Sequence, residues 1–66
     1  MNLSPRYLIK LLEVNGYVYK RSSGSHQIYY NPESKITVIV PFHGGRDMKK
    51  GTFLAILKKA GIDKTI

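Results

Sequence analysis

Three β-prone runs lie so close together in the chain that only one sheet topology fits them. Tyr17-Val18-Tyr19-Lys20-Arg21 passes through Ser22 to Ser25 into a second run, His26 to Asn31. Pro32-Glu33-Ser34-Lys35 then turns the chain into Ile36-Thr37-Val38-Ile39-Val40. A parallel pair needs a crossover of roughly a dozen residues or more, so these connections predict an antiparallel meander. Val, Ile and Tyr suit a pleated, half-buried surface, whereas Ser, Gly, Asn and Pro suit the turns between. Pro41 ends the third run or places it at a sheet edge, because proline cannot donate to a ladder.

Helical patterns flank the meander on both sides. Ser4 reads as an N-cap with Pro5 at the first helical position, and Leu3 and Leu8 occupy the two positions of a hydrophobic staple. Leu8, Leu11 and Leu12 repeat at helical spacing and Asn15-Gly16 supplies a left-handed stop, which predicts a helix from Pro5 to Asn15. After the loop Phe42-His43-Gly44-Gly45-Arg46, Asp47 is a candidate N-cap. Phe53, Ile56, Leu57 and Ala60 form the apolar stripe of a second helix, from Lys49 to Ala60, with Gly61 as its stop. The order α-β-β-β-α predicts an α+β fold in which two helices pack on one face of a three-stranded antiparallel sheet. It reads as a single domain over residues 1–66. A chain of this length buries only about 60% of its unfolded surface, so its stability should be marginal.

Eleven Lys and Arg against four Asp and Glu give a net charge of +7. That excess bears on partners rather than on fold. Nucleic acid is the leading partner, since neutralising phosphates releases counterions. An acidic protein partner, or charge kept for solubility, stays open. There is no cysteine, and the start Met1-Asn2-Leu3-Ser4-Pro5-Arg6 lacks the apolar stretch of a signal peptide. No run approaches the roughly 18 apolar residues of a membrane span. The chain reads as cytoplasmic, with no membrane partner.

Chemistry is expected in the stretch from Arg21 to Asn31. There a basic residue and a small polar turn, Ser22-Ser23-Gly24-Ser25, lead into a histidine that opens an aromatic run. Histidine exchanges a proton near neutrality, and a histidine at the start of a strand is held more firmly than one at a loop tip. Its strand parity matches Ile28 and Tyr30. If Ile28 faces the core, His26 lies on the core side, unless a bulge at Gly24-Ser25 re-aims it. The alternative is a half-buried histidine bonded to a backbone carbonyl. His43, in a glycine-rich loop, is a second acid–base group, a phosphate contact or an ordinary exposed histidine, and the residues alone favour the last. Lys49 and Lys50, at the start of the second helix, oppose the helix dipole; with the free amides of that turn they would cradle a phosphate, or equally they are two solvated lysines whose small cost Asp47 offsets. Tyr17, Tyr19, Tyr29 and Tyr30 beside Lys20 and Arg21 suit base stacking or ordinary sheet packing equally. His26, His43 and Asp47 lack the close spacing of a metal site, so no metal or cofactor is expected.

Several short matches, in order along nearly the whole chain, give a resemblance. Gly16-Tyr17, Gly24-Ser25-His26, Val40-Pro41-Phe42-His43-Gly44-Gly45, Lys50-Gly51-Thr52 and Ile56-Leu57-Lys58-Lys59-Ala60-Gly61 together resemble the HicA-type toxins, messenger-RNA interferases of bacterial and archaeal toxin–antitoxin pairs. The resemblance implies a fold similar to a double-stranded-RNA-binding domain and metal-independent cleavage of mRNA. It also implies a catalytic histidine at the Gly-Ser-His position, His26, and silencing by a cognate HicB-like antitoxin. On that footing His26 is expected to act as general base on the 2′-hydroxyl or acid on the leaving oxygen. Lys20, Arg21, Lys49 and Lys50 are expected to hold phosphates, and Ser25 to orient the imidazole or donate to a phosphate. The competing readings are a non-catalytic RNA-binding module of the same fold and a protein-interaction domain whose basic face meets an acidic partner.

Overall fold

The computed structural model describes residues 2–62, so the predicted domain's residue 1 and residues 63–66 lie outside the described part. The elements run α1 (Pro5–Val14), β1 (Val18–Ser23), β2 (His26–Asn31), β3 (Ile36–Pro41) and α2 (Lys50–Lys59). The strands form one sheet in the order β1-β2-β3, with both pairings antiparallel. This is the expected α-β-β-β-α layout.

Local chemistry sets the helix ends. The Ser4 hydroxyl accepts from the Tyr7 amide at 3.1 Å, with Pro5 opening α1. At the other end Tyr17 N–H donates to the Leu12 carbonyl at 3.0 Å and Gly16 N–H to that of Glu13 at 3.2 Å. This Schellman pairing requires a left-handed residue, and Gly16 supplies it at φ 92°. The C-terminus of α2 repeats it, with Ile62 donating to Leu57 and Gly61 to Lys58.

The start of α2 differs from expectation. The N-cap is Lys49, with no side-chain cap bond, and Asp47 does not cap the helix. Met48 is the reason. Its side chain is buried and its N–H donates to the Leu3 carbonyl at 2.8 Å. Lys49 after it stays extended at ψ 139°, so the helix begins only beyond that tether.

Both helices cover one face of the sheet. The core joins Leu8 and Leu12 of α1 to Phe53 and Leu57 of α2, and these to Tyr29, Val38 and Val40 of the sheet. Tyr29 stands opposite Val38 across the β2–β3 ladder, and opposed residues share a face. Residues of the other parity stand on the uncovered face, among them His26, Ile28 and Tyr30. Core-side placement of His26 rested on Ile28 facing the helices. Tyr29 does so instead, and the imidazole is exposed. Ile28 is nonetheless buried, flanked by its cross-strand partners Arg21 and Ile39.

Candidate active site

His26 owes its position to two neighbours. The β1–β2 turn is tighter than the four-residue connection expected, because β1 continues through Ser23, which pairs with His26. Gly24-Ser25 alone makes the bend. On the other side His26 pairs with Pro41. The ladder then runs one step beyond the proline, as Phe42 N–H donates to the Ser25 carbonyl at 2.7 Å. Phe42 itself is held from α1, with the Arg6 guanidinium carbon 6.0 Å from its ring centroid.

That extra ladder step brings in the second histidine. His43 shares strand parity with Pro41, and its ring centroid lies 6.3 Å from that of His26 at an interplanar angle of 76°. Both rings are exposed. Arg46 N–H then donates to the His43 carbonyl at 3.1 Å, closing a turn through Gly44 and Gly45 at φ 62° and 80°. Two successive left-handed positions admit glycine with least strain. The turn folds the chain back so that His43, Arg46, Asp47, Lys49 and Thr52 line a hollow of about 330 Å³ beside the start of α2. Two cations face one carboxylate there. Three free N–H groups of the first α2 turn lie at the same place, and that turn carries no acid. The combination favours an anion.

The other residues expected at the site are distributed unevenly. Lys20 and Arg21 both reach the open face because the β1–β2 register slips between Tyr19 and Arg21. This bulge sets two residues of β1 against a single step of β2. Lys20 Nζ stands 5.1 Å from the Tyr30 ring centroid, toward the far end of β2 from His26. Arg21, opposite Ile28, is diagonal to His26 and the nearer of the two cations along the strand. Ser25 is in the turn, where its carbonyl anchors Phe42. Lys49 lines the hollow and Lys50 does not. Sequence reasoning gave Arg46 and Thr52 no role and left His43 as an ordinary loop histidine. Hairpin register was the signal available. A four-residue turn closing Asn31 on Ile36 sets His26 opposite Pro41 and carries His43 to the same face.

Among the described residues no three of His, Cys, Asp and Glu gather where they would hold a metal ion. None of the described helices is long and apolar enough to cross a membrane. The Tyr29 hydroxyl is pushed above its ordinary value, first by burial and then by the charges of Glu13 and Tyr19.

A search of curated proteins gave no match. The family model described as the HicA toxin of bacterial toxin–antitoxin systems matches residues 5–62 of the 66, taking in both helices and the whole sheet. The chain belongs to the HicA toxin family.

Proposed function

We propose that this toxin is an endoribonuclease that cleaves mRNA by histidine acid–base chemistry, needs no metal, and is held inactive by a cognate HicB-like antitoxin. One observation carries the reading. An exposed imidazole opens β2 on the uncovered sheet face, with a cation-lined hollow reached through its neighbour His43. RNA brings its own nucleophile, the 2′-hydroxyl, so a protein need only move protons and steady charge at the phosphate. His26 moves a proton. Arg21 and Lys49 grip phosphates on either side of it, while Lys20 and Lys50 extend the basic track and Ser25 donates to a phosphate oxygen. A positive field of +7 draws the polyanion to the surface.

The test uses purified protein and a His26→Ala variant on RNA in the presence of a chelator. Cleavage by wild type and a loss of about 10²–10⁴-fold in the variant are expected. Bound RNA left intact by both proteins would identify a non-catalytic RNA-binding module. Induced expression should arrest growth for wild type only, and co-expression of the antitoxin should relieve it.

A further inference from the structure

We infer that His43 is a second catalytic residue, so that cleavage runs on a pair of imidazoles, one taking a proton and the other giving one. This rests on the endoribonuclease reading above and adds to it the group on the far side of the scissile phosphate.

The geometry argues for a pair. The two ring centroids are 6.3 Å apart and the rings nearly perpendicular. Two imidazoles bonded nitrogen to nitrogen, at the hydrogen-bond reach of roughly 2.6–3.2 Å, bring their centroids closer than this, so the rings do not bond one another and both stay open to one phosphate. An ester oxygen on each side of phosphorus then meets one ring. Neither ring is spent on packing, since both are exposed. Both are set by backbone: His26 by its pairing with Ser23 and Pro41, and His43 by the Phe42–Ser25 bond before it and the Arg46–His43 bond after it. Arg46 and Lys49, in the hollow that His43 lines, stand where the next phosphate of the strand would lie.

The step balances without a further reagent. One neutral imidazole takes the proton of the 2′-hydroxyl, and that oxygen forms a bond to phosphorus. The bond from phosphorus to the 5′-oxygen breaks, its electron pair leaving on that oxygen, which takes a proton from the other, protonated imidazole. The products are a 2′,3′-cyclic phosphate and a 5′-hydroxyl, and exchange with water resets the pair.

The experiment measures cleavage of one RNA from pH 4.5 to 9 by wild type, His26→Ala, His43→Ala and His43→Gln, with thermal melts to verify folding. A matching substrate carries sulfur in place of the 5′-oxygen at the scissile link, whose thiolate departs without a proton. A bell-shaped wild-type profile is expected. Each variant should lose about 10²–10⁴-fold and one limb of the bell, and the sulfur substrate should restore whichever variant lacks the acid and leave the other slow. If His26→Ala is inactive while both His43 variants cleave like wild type, the pair is overturned and the endoribonuclease reading stands. Failure of the sulfur substrate to restore either variant also overturns the pair. If wild type and His26→Ala cleave equally, or neither cleaves, the underlying reading falls with it.

Discussion

The Tyr17 hydroxyl donates to the carbonyl of Ala60 at 3.0 Å, across 43 residues of chain. Tyr17 follows the left-handed turn that ends α1 and Ala60 is the C-cap of α2, so one buried bond ties the two helix ends together. Tyr17→Phe keeps the ring and removes the tie. A hydrogen bond of this kind is worth about 1 kcal/mol net, and a domain this small loses roughly 4–8 °C of melting temperature per kcal/mol. A thermal melt should therefore fall by several degrees. An unchanged melt would show that the bond contributes nothing.

Two glycine-to-alanine changes should move stability in opposite directions. Gly16 is at φ 92°, and a Cβ there would stand 3.4 Å from the Asn31 side-chain nitrogen. That amide donates to the Asn15 carbonyl, so it has little freedom to yield. Gly16→Ala is expected to cost about 1–2 kcal/mol. Gly51, in the first turn of α2, has nothing within 4 Å and no left-handed strain. Gly51→Ala should gain about 0.5–1 kcal/mol from helix propensity. Urea midpoints of the two variants against wild type check both signs.

The raised Tyr29 hydroxyl makes stability depend on pH at the alkaline end. Its ordinary value is 10.0 and folding lifts it. Below pH 10 the group is neutral in both states and its contribution is whole. As pH rises past 10 the unfolded chain loses the proton first, and stability falls until the folded hydroxyl also ionises. Tyr29→Phe should flatten that part of a stability–pH curve, with little change at pH 7, because the Tyr29–Gln27 contact is long at 3.5 Å. Curves of equal slope for the two proteins above pH 10 would refute this.

Arg46 and Lys49 line the hollow beside His43, whereas Lys35 is in the β2–β3 turn at the opposite end of the hairpin. Each phosphate contact removed from a single strand lowers the slope of log affinity against log salt by about 0.7. Arg46→Gln and Lys49→Gln should each show that loss in RNA titrations, and Lys35→Gln should not. The Asp47 carboxylate opposes phosphate from the same hollow, so Asp47→Asn should tighten binding.

Much of the fold was legible because it rests on local chemistry. Ser4-Pro5 and Asn15-Gly16 mark the ends of α1 through bonds among near neighbours, and the short connections left the strands one topology. Non-local packing decided the remainder. Ile28, Tyr29 and Tyr30 are consecutive and all suited to burial, so no alternation says which faces the helices. Pairing with Val38 settles it for Tyr29 and turns His26 to the open side. Asp47 has the right residue type for a cap but is held out of place by Met48. The bulge at Lys20 has no mark in its own residues, and neither does the approach of His43 to His26, which passes through the ladder bond of Phe42. His26 itself was readable as a candidate from its place at a turn-to-strand junction, while its partner needed the register.

Neither imidazole takes part in the core, since His26 stands on the sheet face away from the helices and His43 is exposed in the loop after β3. On the proposed reading, a substitution at either histidine disarms the toxin and leaves its shape intact. Selection against a harmful gene can thus reach silence in one step without producing a misfolded chain. The disarmed copies would still compete for antitoxin, leaving less of it to restrain any active toxin in the same cell.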